Sequence, residues 1–280
     1  MKKLYSLGLY EKALPPNLSW EEKFLAVRNA GYDFLEISID ETAEKLARLD
    51  MNDSEIAKLT QLMKKIGVSI ETMCLSGHRK YPLGSSDPLV RLRAHEIMEK
   101  AICLAEKIGV RIIQLAGYDV FYEPSTQETR EHLKKGLQNA VNMAAKSGIL
   151  LGFETMDTEF MNTIEKAVDI VRSIDSPYLH IYPDLGNLTN AALQYGISLD
   201  QDFNAGVGCI IALHLKETAP ERFRDVPFGN GHVDFKAGIY KAWNVGVRRF
   251  VAEFWYNEKE DWRKNLQTVR LMMTDILDKL

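Results

Sequence analysis

The sequence predicts an α/β fold, a (β/α)8 TIM barrel occupying residues 1–280 as a single domain. Three observations carry this. Apolar, β-rich runs alternate with amphipathic helical stretches, and no hairpin signal falls between them. Five helical stretches end at a glycine (Gly31, Gly67, Gly109, Gly148 and Gly246), each followed by a strand-like run, and the first three intervals of 36 to 42 residues mark a repeated unit. The connections are also of two kinds. Those entering strands are one or two residues around a glycine, whereas residues 76–88, 117–127, 184–197 and 216–233, which leave strands, are long and polar. A barrel builds its site from such loops. No GxGxxG follows the first strand, which weighs against an open doubly wound sheet.

The elements follow in order. The first strand, β1, is expected near 5–10, and a helix near 20–30 starts after the capping Ser19. Strand β2 lies near 34–39, and Asn52 or Asp53 caps a helix near 54–66. Strand β3 (69–75) is followed by a helix at 89–108, β4 (111–116) by one at 128–147, and β5 (149–154) by one at 163–174 that begins at Thr163. Strand β6 (179–183) leads through a loop to a helix at 198–207. Strand β7 (210–215) precedes a helix at 234–244, and β8 (249–253) precedes one at 259–279. The strands are rich in Val, Ile, Leu and Phe throughout, as strands buried on both faces are.

Hydrophobic residues make up 46% and charged residues 26% of the chain, with a net charge of −4. No basic field suits nucleic acid, and no apolar run approaches the roughly 20 residues of a membrane span. The N-terminal Met-Lys-Lys-Leu-Tyr-Ser-Leu-Gly-Leu-Tyr resembles a signal peptide only until Glu11 and Lys12, and no cleavage site follows. Cys74, Cys103 and Cys209 are odd in number and far apart, with no CxxC, as expected of thiols in a reducing cytoplasm.

Four polar residues stand where β5 to β8 run out: Glu154, Asp184, His214 and Glu253, spaced by 30, 30 and 39 residues. Each alone has an ordinary reading: a solvated acid at a loop start, a turn residue, a satisfied core histidine. Together, at consecutive strand ends that a parallel barrel brings to one rim, they form a ligand set for a divalent cation. Three carboxylates at one point repel one another without a cation. Oxygen ligands with one imidazole suit Mn, Zn, Co or Mg, and the lack of thiolate means that nothing demands zinc.

Longer segments carry a resemblance. Leu-Gly-Leu-Tyr-Glu-Lys-Ala-Leu-Pro (7–15), Cys-Leu-Ser-Gly-His-Arg-Lys-Tyr-Pro-Leu-Gly-Ser (74–85), Ile-Gln-Leu-Ala-Gly-Tyr-Asp-Val (113–120), Tyr-Pro-Asp-Leu-Gly-Asn (182–187) and Val-Pro-Phe-Gly-Asn-Gly (226–231) resemble the L-ribulose-5-phosphate 3-epimerases, also called L-xylulose-5-phosphate 3-epimerases, of bacterial L-ascorbate and pentose catabolism. They belong to the xylose-isomerase-like superfamily. The resemblance implies a metal-dependent isomerase acting at C3 of a ketopentose 5-phosphate. Glu154 and Glu253 would be its acid/base pair as well as ligands, and Asp184 and His214 mainly ligands. The superfamily's free-ketose epimerases usually carry a His three residues after the β6 Asp; here that position is Asn187.

Removing a proton next to a carbonyl and returning one to the opposite face needs a base on each face of a planar intermediate. Glu154 and Glu253, from non-adjacent strands, are placed to flank it. A phosphate needs positive charge at the same rim. Arg79, Lys80, Lys216 and the turn at 228–232 are candidates; His78 is a candidate for a substrate hydroxyl, and Tyr10, Glu11, Tyr118, Trp255 and Tyr256 for the walls. His95 and His132 fall on polar helices and receive no role. A homodimer is expected from apolar positions on the outer helices, and no nucleic-acid or membrane partner. Three other functions compete: an aldose–ketose isomerase of the hexulose-6-phosphate type on the same ligands, a DNA-repair phosphodiesterase, and a sugar-phosphate sensor. The phosphodiesterase would need further metal-ligating histidines. The ends of β2 and β3 offer Glu36, Ser38, Thr72 and Ser76, with only His78 nearby.

Overall fold

The computed structural model describes residues 3–280. Eight parallel strands form one sheet in the order β6-β5-β4-β3-β2-β1-β8-β7. The observed strands are β1 (Ser6–Tyr10), β2 (Phe34–Ile39), β3 (Ser69–Leu75), β4 (Ile112–Ala116), β5 (Leu150–Glu154), β6 (Leu179–Ile181), β7 (Leu213–Leu215) and β8 (Arg249–Ala252). Its ends, β6 and β7, meet through two isolated parallel bridges, Ile181 with Ile210 and Asp184 with His214, which close the barrel.

Among the described residues, ten α-helices surround it: α1 (Trp20–Ala30), α2 (Ala43–Ala47), α3 (Asp53–Ile66), α4 (Pro88–Ile108), α5 (Gln127–Ser147), α6 (Ile164–Ile174), α7 (Leu185–Tyr195), α8 (Leu199–Ala205), α9 (Phe235–Asn244) and α10 (Trp262–Leu277). The capping residues are those the sequence offers. Ser19 and Asn52 each form a reciprocal capping box, with Glu22 and Glu55, and Thr163 accepts from the Lys166 amide. Gly31, Gly67, Gly109 and Gly148 end their helices in the left-handed conformation.

Two helices depart from expectation. The short α2, capped by Thr42, lies between β2 and α3, where the sequence predicts no helix. Residues 184–197, expected as a loop, hold α7. Pro183 has no N–H to continue the β6 ladder, and Asp184 becomes the N-cap, its carboxylate accepting from the Asn187 amide at 2.6 Å. The signals Pro-Asp and Gly-Asn, which read as turn formers, here start a helix.

Strand side chains alternate in phase. Leu35, Ile37 and Ile39 pack outward with the helices in the main core. A second cluster comprises Tyr10, Phe34, Cys74, Ile112, Tyr182, Ala212 and Val251. These share the opposite strand phase and fill the barrel interior. Two steps further along several of these strands, the same phase delivers Glu36, Gln114, Asp184, His214 and Glu253. Gly152 gives Tyr182 its room: a Cβ there would lie 2.9 Å from the Tyr182 Cβ.

Candidate active site

Glu154 closes β5, Asp184 follows the Pro183 that stops β6, His214 is central in β7, and Glu253 immediately follows β8. All four are buried, and one ligand atom from each lies within 4.8 Å of all the others. His214 Nδ1 is 2.8 Å from Glu253 Oε2 and 3.6 Å from Glu154 Oε1. Lys216 Nζ, also buried, donates to Asn187 Oδ1 at 2.8 Å and lies 3.2 Å from Asp184 Oδ2. Asn187 in turn donates through Nδ2 to the Thr155 carbonyl at 2.7 Å.

The electrostatics follow from the crowding. Burial raises the Glu154 pKa, with His214 opposing. Burial, opposed mainly by Lys216, raises that of Asp184 well above its ordinary value. Glu253 is also pushed up by burial, but Lys216 and His214 outweigh this and hold it low. Burial would lower the His214 pKa; Glu36 and Glu253 raise it well above normal instead. Three acids in one buried site thus compete for one lysine and one imidazole. Asp184 Oδ2 is wholly enclosed and accepts no hydrogen bond of good geometry; its one compensation is the Lys216 ammonium at 3.2 Å. A buried carboxylate oxygen without a well-formed hydrogen bond, converging with two further carboxylates and an imidazole, is the donor set of a divalent cation, and the residues fit one.

A cleft of about 50 Å³ leads to these groups, lined among others by Tyr10, Cys74, Arg79, Asn187 and Lys216. Lys12, Arg224 and Trp255 line it too. It shares Lys216, Glu253 and Trp255 with an adjoining cavity of about 460 Å³, where Tyr256 and Phe228 lie. Lys12 and Arg224 were not among the sequence candidates. Lys12 is held 2.6 Å from Asp40, and the Arg224 guanidinium lies over the Trp255 ring.

Two candidates are placed elsewhere. Glu11 sits one residue past Tyr10, in the opposite phase, and turns away from the barrel interior. Its carboxylate accepts from Arg48 Nη1 at 2.6 Å, Lys23 at 2.7 Å, Lys45 at 2.8 Å and the Ser38 amide at 3.0 Å. Burial would raise its pKa, but Arg48 foremost, then Lys23 and Lys45, pull it far below the carboxylate range. Glu11 is therefore a buried ion-pair centre beneath the rim. His78 is buried behind β3, its Nε2 3.1 Å from the Ala94 carbonyl of α4, and burial lowers its pKa to about 4. It lies among Leu83, Leu115, Leu133 and Leu137. The turn at 228–232 is fastened to Glu217, which accepts from the Gly229 and Val233 amides. Gly231 is required there because a Cβ would come within 2.1 Å of the Thr218 carbonyl oxygen.

The comparisons with known proteins agree with the geometry. The family model described as "Xylose isomerase-like TIM barrel" matches residues 24–272. The chain is 40% identical over 262 residues to L-ribulose-5-phosphate 3-epimerase UlaE of Shigella boydii serotype 18, covering 93% of this chain and 91% of that one. It is 44% identical over 265 residues to SgbU of Escherichia coli K12, covering 92% and 91%. A solved L-ribulose 3-epimerase superposes with a TM-score of 0.79 over 98% of this chain and 95% of its own, at 14% identity, a likeness of fold alone. The chain thus belongs to the xylose isomerase-like TIM barrels and, within them, to the L-ribulose-5-phosphate 3-epimerase family. It is a sugar epimerase, an enzyme of the isomerase class. Among the described residues, no helix is long and apolar enough to cross a membrane.

Proposed function

We propose that the protein interconverts L-ribulose 5-phosphate and L-xylulose 5-phosphate by inverting C3. The observation that carries this reading is the convergence of Glu154, Asp184, His214 and Glu253 on one point inside the barrel mouth. The names of the relatives at 40% identity support the choice of sugar. Glu154, Asp184, His214 and Glu253 would hold one divalent cation, Mn, Zn, Co or Mg. When bound, it supplies electrophilic stabilisation to the C2 carbonyl and to the negative charge that develops on proton removal.

The chain's own groups move the proton. Glu154, at the end of β5, and Glu253, after β8, approach from non-adjacent strands, so a ketose between them presents one face of C3 to each carboxyl group. One carboxylate removes the C3 proton, giving a planar enediolate, and the other carboxyl group, protonated, returns a proton to the far face. Lys216, fixed by Asn187 and Asp184, keeps positive charge beside the developing oxyanion. Arg79, joined by Lys12 and Arg224 on the cleft wall, supplies the charge for the phosphate, and Tyr10 and Trp255 shield the reacting centre from water.

The test is NMR of L-ribulose 5-phosphate in D2O with the purified protein. Deuterium at C3 together with the appearance of L-xylulose 5-phosphate is the expected result. Deuterium at C1, or an aldose product, would replace the reading with an aldose–ketose isomerase.

A further inference from the structure

Beside the four converging residues, a fourth acid lies inside the barrel. Glu36 on β2 is fully buried. Its Oε1 is 2.6 Å from His214 Nε2, while its Oε2 accepts from Thr72 Oγ1 at 2.7 Å and from the Tyr182 hydroxyl at 2.9 Å. Among the described residues, no lysine or arginine forms an ion pair with it; His214 is its one partner able to carry positive charge. A carboxylate so placed is costly to bury for packing alone.

The backbone is adjusted to make this contact. The β2–β3 register runs Leu35 with Ile70, then Glu36 with Thr72, passing over Glu71. The irregularity lets both Glu71 and Thr72 serve the interior: Glu71 reaches Arg249 of β8 at 2.7 Å, and Thr72 bonds Glu36. The Tyr182 ring, seated against Gly152, also meets the His214 ring edge-on with centroids 4.9 Å apart. The imidazole is therefore held at Nε2 and along its edge, and the Gln114 amide nitrogen also approaches it, 3.2 Å from Nδ1 and 3.4 Å from Nε2. Its other nitrogen, Nδ1, is the one that points at Glu154 and Glu253.

We propose that Glu36 is a positioning residue of the metal centre: its bond to Nε2, braced by Thr72 and Tyr182, fixes His214 in the tautomer and orientation that present the Nδ1 lone pair to the cation. The proposal rests on the reading of Glu154, Asp184, His214 and Glu253 as ligands. A bond of this kind sets the basicity and aim of a ligating imidazole, and its loss weakens metal binding roughly 10- to 100-fold.

The experiment measures Co²⁺ binding by equilibrium dialysis for the native chain, Glu36→Gln and Tyr182→Phe, together with ¹⁵N NMR of the Zn²⁺-loaded proteins. The native chain is expected to bind one Co²⁺ and to show His214 with a slowly exchanging proton on Nε2. Glu36→Gln should bind Co²⁺ at least about tenfold more weakly and lose that slow exchange. Tyr182→Phe, which keeps the carboxylate but removes one brace, should fall between them, and it carries the test if Glu36→Gln does not fold. Native-like Co²⁺ affinity with the Nε2 proton retained in both variants would overturn the role of Glu36 and leave the four-ligand site standing. A native chain that binds no Co²⁺ would overturn the site and the role together.

Discussion

The burial of His78 gives the protein an acid sensitivity that belongs to the core and not to catalysis. The perturbation is His78→Gln, which removes the titrating ring and keeps a donor for the Ala94 carbonyl. In the folded chain, burial lowers the His78 pKa from 6.5 to about 4. Between these values the unfolded chain binds a proton that the folded chain refuses, so stability falls as pH is lowered through that window. At about 1.4 kcal/mol per pKa unit, the full shift corresponds to about 3 kcal/mol. That stability is present above pH 6.5 and is lost by pH 4. The assay is urea unfolding of the native chain and the variant at several pH values across the window, with the metal concentration held constant. The difference between the two curves cancels the carboxylates common to both. It should change by about 3 kcal/mol from pH 7 to pH 4, in the sense that the variant loses less stability in acid. Parallel curves would refute the reasoning. Because His78 lies behind β3 rather than on the cleft wall, the variant should also leave KM unaltered; a large rise in KM would return His78 to the substrate.

Four further outcomes are expected. Glu11→Gln should cost about 3–5 kcal/mol in urea unfolding, because it leaves Lys23, Lys45 and Arg48 without their shared acid; a loss below about 1 kcal/mol would show that solvent already screens the group. Chelation should abolish activity, and Mn²⁺, Co²⁺, Zn²⁺ or Mg²⁺ should restore it; full turnover by metal-free protein would exclude the four residues as ligands of an essential cation. Glu154→Gln and Glu253→Gln should each abolish epimerisation, yet one of them, with metal content verified, should still exchange the C3 proton of one epimer with D2O. If both hold metal and neither exchanges from either epimer, another group moves the proton. Arg79→Ala should raise KM for the phosphorylated ketose far more than for its dephosphorylated analogue, by the roughly 1.5–3 kcal/mol of a charge-assisted bond; equal effects on both would remove Arg79 from the phosphate.

The metal-ligand candidates were legible in the sequence because a parallel barrel turns strand order into position: a polar residue at the end of an apolar run has only the rim to go to. What was harder to read depends on phase. Glu11 follows Tyr10 by one residue, and that single step carries it from the interior to the ion-pair cluster beneath α1. The same rule, applied to Phe34, Glu36 and Ser38, would have marked Glu36 as a charge inside the barrel. Taken without phase, it served only to argue against further metal ligands. Asp184 was found as a candidate ligand but missed as a helix cap, since Pro-Asp-Leu-Gly-Asn satisfies turn chemistry equally well until tertiary contacts decide. Lys12 and Arg224 carry no local signal at all; only loop packing brings them to the cleft.

The junction of β6 and β7 has a consequence of its own. Neighbouring strands elsewhere in the sheet are joined by at least three consecutive register pairs. Here two separated bridges suffice, and one of them joins Asp184 to His214. The ring is therefore sewn shut at the pair of residues proposed to grip the ion. A cation shared by Asp184 and His214 would span this seam, tying the start of α7 to β7 alongside the backbone bonds that already close it.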